Sequence, residues 1–269
     1  MNDMIDYSIF DPTGNITALV ETPVPVSQQP ETAAAVMRRH PEVEQVGFVR
    51  LGAQPELRMA GGEFCGNASM SAAALQMMKS EAPFKAGEVS LRVSGADEAV
   101  RVRLRRVTEA DFAAGVCMPP ARSISETEFA FGGKQALLPL VRMRGISHIV
   151  IDRGTPFFSL LRDPEAAQEA VRTWCGMLQA DGLGLMFLEQ DAQVARLTPL
   201  VYVPVSGTLF WENACASGSS AVGMTLAQKR NAPVCLELCQ PGGTLRVKSD
   251  PKGDTLLFGA TKYIGAYSL

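Results

Sequence analysis

The chain has 269 residues, of which 46% are hydrophobic and 20% are charged, and its formal net charge is −3. This length is enough for one large hydrophobic core or two medium ones. Without a basic run the sequence predicts no nucleic-acid partner, and its apolar stretches fall short of the ~18–20 residues that cross a bilayer. The first eleven residues lack a basic region followed by an apolar core, so we expect no secretory leader and a cytoplasmic location.

Short strand-like runs dominate the chain, and few helical patterns separate them. Helices are predicted at 31–39, 67–79, 164–179 and 217–229. Strands are predicted at 6–10, 16–21, 45–51, 89–93, 100–107, 146–151, 183–188, 199–203, 244–247 and 256–260. Strands at regular spacing with few helices between them indicate an α+β fold rather than alternating βαβ units.

Three short motifs occur twice along the chain in the same order. Each half contains an Asp-x-x-Gly or Asp-x-Gly turn, then a cysteine among small residues, then a Leu-Arg-Val strand (Leu91–Val93 and Leu245–Val247). Chance could produce such matches, but their shared local structure favours duplication. We therefore predict two pseudo-symmetric domains, residues 1–125 with Cys65 and residues 126–269 with Cys215. The boundary is expected in the polar stretch 119–133.

The six cysteines are expected to be mostly reduced thiols in a cytosolic chain. No Cys-x-x-Cys motif occurs and the chain has only two histidines, so no metal site is predicted. Four cysteines are predicted to be buried packing residues, because cysteine is among the most buried residue types: Cys117, Cys175, Cys235 and Cys239.

The other two cysteines, Cys65 and Cys215, each lie at the predicted start of a helix. Small residues flank both, and helix-forming runs such as Ala72–Leu75 follow. Backbone N–H groups and the helix dipole stabilise negative charge there, so we expect each thiol pKa to be lowered. The backbone N–H groups that can hold a substrate carboxylate at these helix starts belong to Gly66, Asn67, Ala216 and Ser217.

A thiol on each side of a bound α-amino acid would meet the needs of two-base racemisation. One thiolate removes the α-proton, the opposite thiol donates a proton to the other face, and the helix starts stabilise the carbanion. The alternative is that Cys65 and Cys215 only fill tight contacts between helix and strand. Residue chemistry alone leaves both interpretations open.

The pattern Cys65-Gly66-Asn67 in one half and Cys215-x-x-Gly218 in the other resembles the diaminopimelate epimerases. This resemblance implies that the two cysteines are catalytic bases and that no cofactor is used. Two further matches imply that Asn15 and Gln45 line the substrate pocket. The implied fold is a diaminopimelate-epimerase-like pair of β-barrels, each around a central helix, with the active site between them.

Departures from that family indicate a different substrate. Ser206–Gly207 stands where those epimerases carry a Glu-Arg pair that grips the distal end of diaminopimelate, and Gly154–Phe157 stands where they have Gly-Asn-Pro-His. A distal carboxylate would therefore meet no cation, and diaminopimelate itself is not expected to be the substrate.

Longer strings resemble a narrower group, the histidine racemases of staphylopine-type metallophore synthesis. These strings are Glu44–Phe48, Gly62–Ala68, Trp211–Asn213 and Gln240–Gly243. The resemblance implies L-/D-histidine interconversion, with Glu44 lining the pocket and accepting a hydrogen bond from the imidazole. Ala216 departs from the glycine that usually follows the second cysteine. A small amino acid is the expected partner, without nucleic acid or membrane, and a homodimer is left open.

Several alternatives remain open. The chain could racemise or epimerise another amino acid, isomerise a non-amino-acid substrate on a related fold, or bind thiols or metals without catalysis. Among single residues, Glu63 and Glu212 either tune a neighbouring thiol or point into solvent, and Trp211 either walls the pocket or belongs to the core. His148 is predicted to be an ordinary buried strand histidine.

Overall fold

The computed structural model describes residues 4–80, 85–191 and 194–269. Its helices are α1 (Gln29–Arg39), α2 (Gly66–Lys79), α3 (Pro164–Leu178) and α4 (Ala216–Arg230). Its strands are β1 (Asp6–Asp11), β2 (Thr17–Val20), β3 (Gln45–Arg50), β4 (Glu56–Met59), β5 (Ala86–Val93), β6 (Val100–Arg106), β7 (Asp111–Met118), β8 (Ser123–Phe131), β9 (Lys134–Arg142), β10 (Ser147–Asp152), β11 (Leu183–Gln190), β12 (Ala195–Val203), β13 (Thr208–Trp211), β14 (Val234–Gln240), β15 (Gly243–Ser249) and β16 (Thr255–Ser268). Two short 3-10 helices cover Val26–Gln28 and Pro156–Arg162. This composition confirms the predicted α+β class.

The chain divides into two compact units, which we call unit 1 (Met1–Cys117 and Phe258–Leu269) and unit 2 (Met118–Leu257). The sequence motifs predict a division at 125/126, with the C-terminal segment in the second half. In the structure that segment belongs to unit 1, because β16 pairs with β1 along its length, from Asp6 opposite Ser268 to Asp11 opposite Lys262.

Unit 1 is a ring of strands around a helix. Strands β1 to β7 follow one another in the sheet, β16 lies beside β7, and the pairing of β16 with β1 closes the ring. Helix α2 packs against β2, β4, β5 and β6. Its residues Gly66–Leu75 are all buried, because small and apolar side chains occupy every side of the helix. A helix of that kind is stable only inside a core.

Unit 2 has the strand order β8-β9-β10-β11-β12-β14-β15, with β13 beside β12. Helix α4 packs against β9, β10, β11, β14 and β15, and its residues Ala216–Thr225 are all buried. Helix α3 packs instead against β11 and β12. Its Trp174 is fully buried among Phe129, Phe157 and Phe187 in a second apolar core.

The two units repeat the same series of strand pairings. In unit 1 an antiparallel pair (β1–β2) precedes a parallel pair joined through α1, and in unit 2 β9–β10 precedes a parallel pair joined through α3. Each unit then continues with an antiparallel pair, a parallel pair joined through the cysteine helix, and a last antiparallel pair. The shared topology agrees with the duplication inferred from the motifs.

All four predicted helices are present, with ends within two residues of those predicted. The predicted boundary stretch 119–133, however, contains strand β8, which pairs with β9 over its whole length. Most β8 side chains are at least partly exposed, so polar residues on both faces conceal the alternation that marks a strand. Strand β7 was also missed, because it is rich in alanine and glycine, which have low strand propensity.

Within the described residues, no helix combines the length and the apolar character needed to traverse a lipid bilayer.

Candidate active site

Cys65 is the N-cap residue of α2. Its backbone is extended (φ −132°, ψ 113°), and its sulfur accepts a hydrogen bond from the backbone N–H of Ala68 at 3.4 Å. The Ser69 hydroxyl donates to the Cys65 carbonyl oxygen at 2.7 Å, which fixes the first turn of the helix. The side chain is partly exposed. The thiol therefore lies at the positive end of a buried helix and within reach of a small ligand.

A chain of polar side chains in unit 1 leads to the Cys65 sulfur. The thiol donates to Gln45 Oε1 at 3.1 Å, and Gln45 Nε2 donates to Asn15 Oδ1 at 2.5 Å and to Thr17 Oγ1 at 2.8 Å. Because its amide nitrogen is held by two acceptors, Gln45 presents its oxygen to the sulfur. The structure thus brings together three residues that were predicted for the site, Cys65, Gln45 and Asn15; the contact with Thr17 was not foreseen.

Two more predicted residues join the same network. Asn67 Nδ2 donates to Asn15 Oδ1 at 3.0 Å, and Asn15 Nδ2 donates to Glu44 Oε2 at 2.5 Å. The parallel pairing of β2 and β3 holds these groups side by side, with Thr17 opposite Gln45. The Glu44 carboxylate is therefore connected to the Cys65 thiol through two amide side chains.

Glu63 is partly buried, and its carboxylate oxygen Oε2 is shielded from solvent. Its Oε2 has no hydrogen-bond partner among the described residues, and burial raises the pKa of the Glu63 carboxyl. The Ser94 hydroxyl donates to the Glu63 carbonyl oxygen at 2.8 Å and accepts from the Met59 backbone N–H at 2.9 Å. The turn after β5 therefore holds the backbone that leads into Cys65.

Cys215 occupies the same position in unit 2 as Cys65 does in unit 1. It is the N-cap of α4 (φ −119°, ψ 109°), and its sulfur accepts from the Gly218 backbone N–H at 3.4 Å. The Cys215 backbone N–H donates to Gln240 Oε1 at 2.8 Å, and Gln240 Nε2 donates to Ser219 Oγ at 2.9 Å. Gln240 thus ties the end of β14 to the helix start. The sequence motif Gln240–Gly243 contains this residue but does not predict a role for it.

The pKa of the Cys215 thiol is raised well above its ordinary value, so the prediction of a lowered pKa is wrong here. Burial is the largest cause, and the charge and hydrogen bond of the Glu212 carboxylate raise the pKa further. Hydrogen bonds from the Gly218 backbone and the Ser217 side chain act in the opposite direction but are smaller. Desolvation of the thiolate therefore outweighs the helix start, and Cys215 holds its proton at neutral pH.

We expect Glu212→Gln to lower the pKa of Cys215, because the variant removes the negative charge that disfavours the thiolate. In a Cys65→Ser background, the rate of Cys215 alkylation by iodoacetamide at about pH 9, followed by mass spectrometry, should rise. Glu237→Gln, on the exposed face of β14, is the control and should change nothing. An unchanged rate for Glu212→Gln would contradict the role of this carboxylate.

His148 on β10 lies behind the Cys215 site. The side chain is fully buried, its Nε2 lies 2.9 Å from Ser217 Oγ, and Ser217 Oγ lies 3.6 Å from Cys215 Sγ. Burial lowers the pKa of His148 to about 3, so the imidazole is neutral at physiological pH. His148 is thus buried in a strand, as predicted, but its contact with Ser217 was not foreseen.

Trp211 packs against the apolar core of unit 2 and stacks on Phe187, with ring centroids 5.7 Å apart. The side chain is only partly buried. The contact with Phe187 favours the core interpretation of this residue.

The predicted burial of four other cysteines is correct only for Cys175. Cys117 and Cys239 are partly exposed and Cys235 is exposed. Cys235 and Cys239 share one face of β14 with the exposed Glu237, whereas Val234 and Leu238 point into the core. Among the residues that the structure covers, no three His, Cys, Asp or Glu side chains are grouped so as to hold a metal ion.

Comparison with known proteins assigns the chain to a family. The sequence profile of the histidine racemase CntK N-terminal domain matches residues 4–257. The chain belongs to this family. A histidine racemase of Fusobacterium nucleatum subsp. nucleatum is 30% identical over 249 residues, which cover 90% of this chain and 88% of that protein. A histidine racemase of Staphylococcus aureus strain Mu50 is 29% identical over 255 residues, covering 91% and 89%.

Solved structures with the same fold are more distant in sequence from this CntK-family chain. A probable proline racemase from Agrobacterium radiobacter K84 has a TM-score of 0.71 at 15% identity, covering 98% of this chain and 92% of that one. A hydroxyproline epimerase from Agrobacterium vitis has a TM-score of 0.70 at 14% identity, covering 100% and 93%. A phenazine biosynthesis protein of the PhzF family from Enterococcus faecalis has a TM-score of 0.59 at 14% identity, covering 99% of each chain. The family's fold is thus a two-part β-barrel of the proline racemase and PhzF type.

Proposed function

We propose that the chain is a cofactor-independent racemase that interconverts L- and D-histidine, with Cys65 and Cys215 as its two acid/base residues. One observation supports this proposal most directly: each unit has one cysteine as the N-cap of a buried helix. The two cysteines have similar backbone angles, and each sulfur accepts a hydrogen bond from the backbone N–H of the residue three positions later in the chain. Family membership and two histidine racemases of similar length support histidine as the substrate.

The reaction needs one proton acceptor and one proton donor. In one direction the Cys65 thiolate takes the α-proton, so that an S–H bond forms as the Cα–H bond breaks and its electron pair stays on the α-carbon. The Cys215 thiol then gives its proton to the opposite face and becomes a thiolate. In the reverse direction the two residues exchange roles. The raised pKa of Cys215 supports its role as donor in the first of these directions.

The substrate carboxylate binds to the backbone N–H groups at the helix starts, as proposed for Gly66, Asn67, Ala216 and Ser217. These groups carry partial positive charge and meet an anion without reorganising. Negative charge that develops in the transition state spreads onto this carboxylate, so the same N–H groups stabilise it more strongly there than in the ground state.

The Glu44–Asn15–Gln45 network recognises the imidazole. Asn15 fixes the orientation of the Glu44 carboxylate through its 2.5 Å hydrogen bond. A carboxylate accepts a hydrogen bond from an imidazole N–H more strongly than a neutral acceptor does. The same network ends on the Cys65 sulfur, so side-chain recognition and proton transfer share one set of contacts.

Each unit is one half of a diaminopimelate-epimerase-like fold and carries one of the two cysteines. The central position of α2 and α4 and the repeated strand pairing support this assignment. A cytoplasmic location suits the reduced state of all six cysteines, none of which forms a disulfide in the described part of the chain. A homodimer is the proposed assembly.

The test is α-proton exchange in deuterated water. Each L-amino acid is incubated with the protein without added cofactor, and loss of the α-proton signal is followed by proton NMR. We expect fast exchange and racemisation of histidine, with diaminopimelate and aliphatic amino acids turned over poorly. Activity should survive EDTA and hydroxylamine, because the thiols supply both proton positions.

The outcomes separate the alternatives. Equal turnover of many aliphatic amino acids would contradict imidazole recognition and leave a general amino-acid racemase. No exchange with any amino acid would overturn the racemase and favour a thiol-binding or metal-binding protein. Activity that appears only after a metal or pyridoxal phosphate is added would overturn cofactor independence.

A further inference from the structure

The hydrogen-bonded series His148–Ser217–Cys215 carries an inference about the second thiol. It joins a strand of the sheet to the first turn of α4, with Nε2 of His148 2.9 Å from Ser217 Oγ and that oxygen 3.6 Å from the Cys215 sulfur. We propose that His148 is a positioning residue that turns the Ser217 hydroxyl hydrogen toward the Cys215 sulfur and so stabilises the thiolate. The inference rests on the proposed function only in that Cys215 must become a thiolate during turnover.

The two nitrogens of the buried His148 imidazole have different surroundings. Among the described residues Nδ1 of His148 has no hydrogen-bond partner, whereas Nε2 faces the serine. If Nδ1 carried the proton, a buried N–H would be left without an acceptor, which is among the rarest arrangements in folded proteins. The favoured tautomer therefore has its proton on Nε2, which donates to the lone pair of Ser217 Oγ.

The direction of the serine hydroxyl follows from that tautomer. Because Ser217 Oγ accepts from His148, its own hydrogen must point elsewhere, and the Cys215 sulfur lies within hydrogen-bond distance at 3.6 Å. A hydroxyl that donates to a sulfur stabilises the thiolate more than the thiol. Burial and Glu212 both disfavour the Cys215 thiolate, so this hydrogen bond counters them.

The surroundings of His148 keep it neutral and fixed. Burial alone lowers its pKa, and Glu212 is the charged group that acts on Cys215. Gly184 lies directly opposite His148 on β11, and a Cβ there would overlap the imidazole Nδ1. The absence of a side chain at Gly184 thus makes room for the ring. A neutral ring that cannot take a proton near pH 7 acts as a fixed donor and not as a proton shuttle.

The experiment measures Cys215 alkylation by iodoacetamide against pH in the Cys65→Ser background, which needs no racemase activity. Ser217→Ala removes the hydrogen bond to the thiolate and should reduce the thiolate fraction at a fixed alkaline pH by about tenfold. His148→Leu leaves the serine hydroxyl free to turn away from the sulfur and should reduce the thiolate fraction in the same direction, by no more than Ser217→Ala does. His148→Gln, whose amide N–H can replace Nε2–H, should restore most of the reactivity. His40→Phe, at the only other histidine, is the control and should leave the curve unchanged.

The double variant His148→Leu/Ser217→Ala shows whether His148 acts through the Ser217 hydroxyl or only fills space in the core. If His148 acts through Ser217, His148→Leu adds nothing in a Ser217→Ala background. A further loss in the double variant, or a loss that His148→Gln does not restore, would overturn the proposal. An unshifted Ser217→Ala curve would do so as well, even if His148→Leu fails to fold. If no amino acid exchanged its α-proton, the proposed racemase function would be refuted, but the measurement of Cys215 alkylation would remain valid.

Discussion

Replacing either Cys65 or Cys215 with serine stops net racemisation of histidine, with an expected loss of about 10³-fold or more in kcat. A serine hydroxyl can neither give nor take the α-proton as a thiol does, and each face of the substrate has only one such group in the proposed mechanism. The single variants should still exchange the α-proton of one enantiomer with solvent, because the remaining thiol can remove and return a proton on its own side. Chiral chromatography combined with NMR in deuterated water measures both rates.

The chain supplies a matched control for these variants. Cys235 lies exposed on β14, and Cys235→Ser should retain full activity. If either Cys65→Ser or Cys215→Ser kept more than about a tenth of the wild-type rate, the two-thiol mechanism would be contradicted. Loss of racemisation with exchange of opposite enantiomers in the two variants would assign each thiol to one face of the substrate.

Gly95→Ala lowers the free energy of unfolding by about 3 kcal/mol and reduces activity as well. Gly95 has a φ of +71°, which costs a residue with a Cβ about 1 kcal/mol. In addition, a Cβ there would overlap the backbone of Phe64, the residue before Cys65, and backbone atoms cannot move aside as a flexible side chain can. The Cys65 segment must therefore shift in the variant.

Gly133 separates the two contributions. It has nearly the same φ, +73°, but a Cβ there would meet nothing within 4 Å. Gly133→Ala should therefore lose only about 1 kcal/mol in urea unfolding and keep its activity. Equal losses of stability for the two variants would show that the overlap with Phe64 is relieved without cost.

The cysteine helices are the part of the fold that the sequence predicts most closely. Small residues around Cys65 and Cys215, followed by helix formers, locate both helix starts to within one residue. Strand β8 could not be predicted in this way, because polar residues occur on both of its faces and only Phe129 is fully buried. Its pairing with β9 depends on tertiary structure, which no local pattern shows. The return of β16 to β1 joins residues at opposite ends of the chain, which no local pattern encodes.

The site divides in a similar way. Asn15, Glu44 and Gln45 were named through a family resemblance, and the structure joins them by hydrogen bonds. The raised pKa of Cys215 could not be predicted from its position at a helix start, because burial depends on the surrounding sheet. The role of His148 was also hidden, since its partner Ser217 lies 69 positions away.

The return of the last strand to unit 1 also constrains the order in which the two units can be completed during translation. Unit 2 is one uninterrupted segment, Met118–Leu257, inserted between the two pieces of unit 1. A chain leaving the ribosome therefore presents all of unit 2 before the ring of unit 1 can be completed. Until Phe258–Leu269 emerges, β1 can pair with β2 but lacks its second neighbour, β16. The half that is translated first is thus the half that closes last.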